Sequence, residues 1–543
     1  MDYHQEEFTA DERRILGRFF TNLDGPVFAI VNLPEVVKGA LFARYSRSPK
    51  SVRRLFLDEF YHDPEIGIET LAADQQGDDP LVKLRRAEDL YDRVFSEYGD
   101  DSIAQLGGAH LACEQASNVL TKILEWGRLA AYLEQSTRYI FYDKRLGGRY
   151  RYAVPPEVAA SRFAAPFVET MDWLFATYAG LIDQLVPYYE TLYPRQEGDS
   201  NFVWRATIRA KACDDLRGLL PAATTSNVGI FATGQAYEMM MLRMRANPLA
   251  EARDYATMML TELRKVIPSF MKRVDAAGRG VAWSEYFATT AADMGSVAAR
   301  FPTTPEAGPE VALVDWDPDA ELKIAAAALY PYTSLSDDQL LAAVRAMSPG
   351  ERNQLIETYV GPRTNRRHKP GRAMERSDYR FDILCDYGIF RDLQRHRMLT
   401  IDWQRLSPAH GYVTPESIGD IGATGTWQEG MQRAGQLYES LTAELGPEVA
   451  QYAVPLAYRI RFFFQMNVRE AFHLLELRTG PGGHPGYRRV CQEMHRLIRD
   501  QAGHRALAAA MRYVDYEDYD LARLEGERRA AAKRAARGIA DPG

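Results

Sequence analysis

Arg395, His396 and Arg397 stand side by side in FRDLQRHRMLTID. Three adjacent basic residues at the end of an apolar segment are costly to pack unless anions pair with them. The tripeptide reads either as a surface turn or as a contact to a pyrophosphate or a flavin ring, because guanidinium forks bind phosphate bidentately. A second cluster lies in NVREAFHLLELRTG, Asn467 to Gly480. Asn467 suits a helix N-cap, with Glu470 three residues on as its reciprocal cap, and Gly480 suits the C-cap. Arg469 and His473 fall four apart on one face, and Arg478 ends the helix. A single histidine there reads as a satisfied structural residue, whereas an Arg, a His and a second Arg on one short helix also read as a ligand site. The following GPGGHPG is either a turn or a close approach to a ligand. A third stretch, EWGRLAAYLEQSTRY, contains Glu134, Ser136, Thr137 and Arg138. A hydroxyl and an arginine two apart, where a helix gives way to a loop, can hold a phosphate together with backbone N–H groups. The alternative is a helix C-terminus that favours arginine through its dipole.

These residues need elements to position them. Helical periodicity runs through Ile123 to Gln135, Gly234 to Arg245 and Asp338 to Ala346. Gly25 to Asn32 and Glu310 to Trp316 are β-like, each leading into an apolar helix, and Tyr379 to Cys385 alternates like a strand. The order of elements recurs. Pro34 to Ser46 parallels Asp319 to Thr333, and Leu216 to Asn227 parallels Ala450 to Arg461, an arrangement expected of an internal repeat. Phe301 to Pro309, rich in Pro, Thr and Gly, reads as a linker. Glu525 to Arg537 reads as a charged, Ala-rich helix forming a solvated or partly frayed tail. The expected divisions are a first module at residues 1–300, a second at 310–515 and the helical tail at 516–543.

The 543 residues allow two to four domains at roughly 100–200 residues each. A net charge of −8 leaves no basic footprint for DNA or a membrane surface, so an anionic ligand must be held by a local group of arginines. The four cysteines, Cys113, Cys213, Cys385 and Cys491, are far apart with no C-x-x-C pair. That argues against a disulfide framework or a metal site and fits structural thiols in a cytoplasmic protein. The charged N-terminus lacks the apolar core of a secretory signal, and no run of about 18 apolar residues appears.

The two arginine-bearing segments resemble halves of one signature, that of the flavin-dependent thymidylate synthases: Arg-His-Arg-x-x-Ser-x-Asn-Glu-x-Ser-x-Arg-Tyr. WGRLAAYLEQSTRY is similar to its end and keeps Arg128, Glu134, Ser136, Arg138 and Tyr139; Trp126 and Gly127 replace the leading Arg-His, and Leu133 the Asn. RHRMLTIDWQR is similar to its beginning and keeps Arg395, His396 and Arg397, with Thr400 and Asp402 for the Ser and Asn and no Glu-x-Ser-x-Arg-Tyr end. The family's downstream helix resembles PLAYRIRFFFQMNVREAFHLLELR, Pro455 to Arg478, almost throughout. The corresponding first-half stretch has Thr233 and Gln235 in place of the Asn-x-Arg pair but keeps Arg217, where the second half has Gln451. The two similarities span about residues 25–270 and 310–515.

The resemblance implies an α+β, mainly helical fold of two homologous modules, each with a small sheet. It implies reductive methylation of dUMP to dTMP with FAD as cofactor and NADPH and methylenetetrahydrofolate as co-substrates. Arg395, His396, Arg397, Glu134, Asn467, Arg469 and His473 would contact the flavin. Glu134, Ser136, Thr137, Arg138, Arg217, Arg395 and Arg478 would hold the nucleotide, and Arg478 would stabilise charge on the uracil ring. In this family the site is built between subunits of a homotetramer, one giving the Arg-His-Arg set and a neighbour the Ser-x-Arg set. Here the losses are complementary, so the two halves are expected to form composite sites and two chains a homodimer that acts as a pseudo-tetramer of modules. Two other classes stay open: a flavoenzyme modifying another pyrimidine nucleotide, and a non-catalytic nucleotide-binding paralogue.

Overall fold

A computed structural model describes residues 6–25, 28–45, 50–62, 68, 105–301, 304, 306–521 and 523–536. In chain order, the elements that matter here are α1 (Glu35–Tyr45), β1 (Gly108–Ser117), α2 (Asn118–Leu124), β2 (Ala130–Glu134), α3 (Ala164–Leu192), α4 (Asn201–Leu216), β3 (Thr225–Thr233) and α5 (Gly234–Arg245). Then follow β4 (Val311–Trp316), α6 (Ala320–Leu329), α7 (Asp337–Ala346), β5 (Asp378–Asp386), α8 (Tyr387–Leu393), β6 (Leu399–Trp403), α9 (Thr424–Leu445), β7 (Arg459–Asn467), α10 (Val468–Arg478), α11 (Pro485–Asp500) and α12 (Leu524–Ala536). The protein is mainly helical with two small antiparallel sheets, as the sequence implied: three strands in the order β1-β3-β2 and four in the order β4-β5-β7-β6.

Two compact units divide the chain. One comprises residues 1–114, 129–134 and 227–303, the other 115–128, 135–226 and 304–543. In the second unit β5 pairs with β7 from Asp378↔Asn467 to Asp386↔Arg459, and β6 covers the far side of β7 from Leu399↔Met466 to Trp403↔Phe462. The register follows from alternation. Tyr379, Phe381, Ile383 and Cys385 turn to the core together with Ile460, Phe462, Phe464 and Met466, so a one-residue slip would expose both rows. The segments preceding β3 and β7 meet directly: Ala222 N donates to Val454 O at 2.8 Å and Leu456 N to Leu220 O at 2.9 Å around an antiparallel Pro221↔Pro455 bridge. These are the two stretches whose sequences parallel one another, and the order strand–helix–strand followed later by strand–helix occurs in both halves.

Several local expectations need correction. Ile123 to Gln135 is not one helix. α2 stops at Leu124, Trp126 to Arg128 turn, and β2 pairs with β3 from Ala130↔Ala232 to Glu134↔Val228. Ala, Leu and Glu favour helix intrinsically, and strand pairing overrides that preference; an 80% exposed Leu133 between half-buried Tyr132 and buried Glu134 is the strand's signature. Gly25 to Asn32 forms no named strand, and Pro26 and Val27 lie outside the described residues. Of the rest only Ile30 bridges, to Phe20, because the Asn22 side chain caps Asp24 and Gly25 in a turn and Asn32 takes a φ of 56°. The C-terminal helix is real, but its approach is not a solvated tail: Arg523 is buried within the second unit.

Candidate functional site

One strand–helix junction and one helix–strand turn present the second-half residues. Asn467 ends β7 and caps α10, its Oδ1 accepting from Glu470 N at 2.9 Å. The helix closes at Arg478 with Thr479, not Gly480, in the cap position, Thr479 Oγ1 donating to Leu475 O at 2.7 Å. Arg395 to Arg397 lie in the short turn between α8 and β6. Because β6 and β7 are paired neighbours, the turn and the start of α10 come together. Arg395, His396, Arg397, Asn467, Arg469, His473 and Arg478, seven residues singled out from the sequence, line one cavity of about 280 Å³. Its wall carries five cations (Lys369, Arg395, Arg397, Arg469 and Arg478) against the carboxylates of Glu375 and Glu470, so it favours an anion.

Glu470 does not serve as the expected reciprocal cap. It accepts from His396 Nδ1 at 2.9 Å and lies 3.3 Å from His473 Nδ1. Arg478 Nε donates to His396 Nε2 at 2.9 Å, which fixes the imidazole as the neutral Nδ1–H tautomer. Burial, aided by the Arg478 cation, lowers the His396 pKa to about 4 despite Glu470. Burial alone would raise Glu470, but hydrogen bonds from His396 and His473 outweigh it and hold the carboxyl down at about 2. His396, Glu470 and His473 have the residue types of a metal cage, yet both ring nitrogens of His396 already bond to protein and Arg478 sits against one of them. The trio is therefore a hydrogen-bonded relay that orients Arg478.

The relay ties stability to pH with a definite sign. Both folded-state pKa values are depressed, so both contributions are complete at high pH and lost on acidification. For His396 the loss runs from about pH 6.5 to 4, and for Glu470 from about 4.5 to 2. Resistance to urea is expected to fall as pH drops from 7 to 4, with His396 accounting for on the order of 3 kcal/mol. His396→Gln should flatten part of that fall, the remainder belonging to groups such as buried His484, whose pKa is lowered to about 3. An unchanged slope in the variant would contradict the assignment.

The first-half residues divide between the units. Glu134, buried at the end of β2 opposite Val228, belongs to the first. Ser136, Thr137, Arg138 and Arg217 belong to the second. Ser136 Oγ accepts from Arg138 N at 3.1 Å, a local turn, and Thr137 Oγ1 accepts from Arg391 at 3.4 Å. Arg138 is buried and its fork is fully engaged: Nε and Nη2 reach the two oxygens of Asp214 at 2.7 and 2.8 Å, and Nη1 donates to Tyr487 Oη at 2.9 Å. Arg217 pairs with Asp392 at 2.9 Å, and Asp392 holds Arg395 through its other oxygen at 2.6 Å. The Arg138 and Arg478 guanidiniums each lie 5.4 Å from the Tyr487 ring centre. Residues from both halves thus meet around Asp392 and Tyr487. Burial would raise the Asp392 pKa, but Arg217, Arg395, Arg138 and Arg478 together hold it well below the carboxylate range.

Asp392, Asp214 and Tyr487 were missed by sequence reasoning. Asp392 had a signal, since it precedes Arg395 by one helical turn and basic clusters need anions. Asp214 and Tyr487 act over long sequence separations and gave none. A second cavity, about 510 Å³, is lined by Arg217, Asp214, Asp386 and His484 among others; burial raises Asp386 to about 6 against the opposing Arg217 cation. All four cysteines are buried, and burial pushes Cys113 up to about 11 and Cys213 and Cys491 to about 12, so none is poised as a thiolate nucleophile. Among the described residues no helix is long and apolar enough to cross a membrane.

The family model described as thymidylate synthase complementing protein matches residues 54–269 and 312–502, and the C-terminal helix lies beyond both segments. A UPF0159 protein of Chlamydia muridarum is 41% identical over 530 residues, 97% of this chain and 99% of that protein. A flavin-dependent thymidylate synthase of Clostridium tetani is 27% identical over 210 residues, 38% of this chain and 75% of its own length. The solved structure of a UMP/dUMP methylase from Streptomyces cacaoi bound with 5-Br dUMP aligns over 37% of this chain and 94% of its own, with 18% identity and a TM-score of 0.29. Two matched segments that take up most of the sequence carry the conclusion that the chain belongs to the thymidylate synthase complementing protein family.

Proposed function

We propose that this protein is a flavin-dependent nucleotide methyltransferase that converts dUMP to dTMP, with FAD as cofactor and NADPH and methylenetetrahydrofolate as co-substrates. The observation that carries the reading is the cationic cavity, in which the Arg-His-Arg turn and the Asn467–Arg478 helix face one another. Its donor set fits a flavin: guanidiniums suit a diphosphate, and Arg469 is fixed for the purpose by Pro370 O at 2.9 Å and Glu375 at 3.2 Å. FAD, when bound, supplies the redox chemistry that moves electrons from NADPH to the transferred one-carbon unit. The chain's own task is to bind and orient. Arg395, Arg397 and Arg469 neutralise phosphate. Neutral His396 and anionic Glu470 hold Arg478 where negative charge develops on the uracil ring. Arg138, Arg217 and Ser136 belong to the nucleotide's phosphate side.

One observation favours a second reading. Arg138 and Arg217 are already paired with Asp214 and Asp392, and Thr400 and Asp402 alter the motif, so the pocket can be shaped for a different pyrimidine nucleotide. The decisive experiment is an anaerobic assay of purified protein: flavin absorbance, dUMP-dependent NADPH oxidation and identification of the product. Arg397→Ala and Arg469→Ala should weaken flavin retention. Colourless protein that takes up no flavin would end the enzymatic reading, while turnover yielding a product other than dTMP would select the second. Light scattering should give twice the 61.4 kDa chain mass if two chains supply the family's four modules; a monomer would remove that part of the reading.

A further inference from the structure

The C-terminal segment brings a charge into the site. Arg523, 5% exposed, donates from Nη1 to Arg138 O at 2.7 Å and from Nη2 to Asp214 Oδ1 at 2.7 Å, and its guanidinium lies 4.3 Å from the Tyr139 ring centre. The helix that follows is pinned to the same unit by Arg528, which reaches Asp199 at 2.7 and 3.0 Å. Asp214 is thereby shared by two guanidiniums, although Arg138 alone already satisfies both its oxygens. A second buried cation on a satisfied carboxylate is costly unless something else needs its charge.

The surrounding charges indicate what that is. Arg138, Arg217, Arg395, Arg478 and Arg523 form one bonded network with Asp214, Asp392 and Glu470, joined through Tyr487 and His396. Neutral His396 adds nothing, and Asp386, raised only to about 6 beside Arg217, is largely ionised near neutrality, so five guanidiniums stand among four carboxylates. Among the described residues, two of the network's buried nitrogens, Arg217 Nη2 and Arg523 Nε, have no hydrogen-bond partner, and buried donors of native proteins are rarely left unmade. A phosphate monoester, with roughly −1.5 to −2 charge near neutrality and three acceptor oxygens, suits an arginine-rich surrounding and supplies acceptors for the orphan donors.

We propose that Arg523 is a positioning residue of the nucleotide site: it locks Arg138 and Asp214 and supplies the last positive charge required by the phosphate monoester of the substrate. The inference rests on the reading that the phosphate lies beside Arg138 and Arg217. A structural role alone would not discriminate between ligands with and without phosphate, and that difference is the readout.

The test is calorimetric titration of the full-length protein and its Arg523→Ala, Arg523→Lys and Arg138→Ala variants with dUMP, deoxyuridine and inorganic phosphate. Arg523→Ala is expected to weaken dUMP and phosphate roughly ten- to a hundredfold and leave deoxyuridine unchanged. Arg523→Lys, which keeps the charge without the fork, should recover much of the loss and shows that the fold survives. Wild-type affinity for dUMP in Arg523→Ala, alongside loss in Arg138→Ala, would overturn the inference and leave the nucleotide reading standing. Equal weakening of dUMP and deoxyuridine would also overturn it. Phosphate binding that depends on Arg523 in a protein that ignores dUMP would uphold the charge argument and sink the nucleotide reading. Indifference of both variants to dUMP and phosphate would sink both.

Discussion

On the proposed flavin-dependent methylation, replacing Arg478 with alanine is expected to lower turnover by about 10²–10³, the usual effect of removing one preorganised donor from developing charge, with flavin retention unchanged. Arg478 spends one nitrogen on the protein, its Nε bonding His396 Nε2. Among the described residues its Nη1 and Nη2 have no hydrogen-bond partner, and the guanidinium lies on the Tyr487 ring at the cavity wall. A group braced at one end and available at the other is arranged to act on a ligand. Arg469, Arg395 and Arg397 lie apart from the substitution and should keep the cofactor. Lysine at 478 should rescue only in part, because its ammonium cannot both donate sideways to His396 and present a planar fork. The substitution also removes a cation that depresses His396, so the imidazole pKa should rise, which NMR titration can follow. Unchanged turnover with normal flavin content would remove Arg478 from the catalytic machinery.

What was legible in the sequence was legible for local reasons. Gly234–Arg245 and Asp337–Ala346 repeat their apolar residues with helical spacing, and both appear as helices at or within a residue of the expected bounds. β5 shows its alternation in YRFDILC. The second-half site residues sit in two short segments, a helix–strand turn and a strand with the helix that follows it, so a sequence that specifies both specifies most of the cavity. β2 was misread because five residues, four of them good helix formers, carry too little pattern to declare pairing with distant β3. The carboxylates that neutralise the arginines were the larger gap. Asp214 reaches Arg523, and Asp392 reaches Arg217, across the halves of the chain, and no periodicity records such a pairing. The tail shows the same limit from the other side: a charged, Ala-rich helix reads as solvated, and only the buried partner of Arg523 reveals its docking.

The largest stability effect is expected at Glu476, which does not line the cavity. It lies on α10 two residues before Arg478 and is 2% exposed. Its two oxygens pair with Nη1 and Nη2 of Arg363, the Nη1 contact being 2.7 Å, and Arg363 is itself buried against Phe472 and Tyr513. Arg363 also donates to Ala510 O at 3.3 Å, and Tyr513 Oη donates back to Arg363 O at 2.9 Å. The pair thus fastens the helix that carries Arg469, His473 and Arg478 to the chain on either side of it. Glu476→Ala leaves a guanidinium buried with no countercharge, a change that typically costs about 3–5 kcal/mol. Urea unfolding should register that loss, and flavin retention should fall with it, because α10 no longer holds its place. Replacing both partners, Arg363→Met with Glu476→Leu, removes the stranded charge and should recover much of the stability. If the double variant is no better than Glu476→Ala, the cost lies in packing around the helix and not in the unpaired arginine; if Glu476→Ala unfolds like the wild type, α10 is held by its apolar face alone.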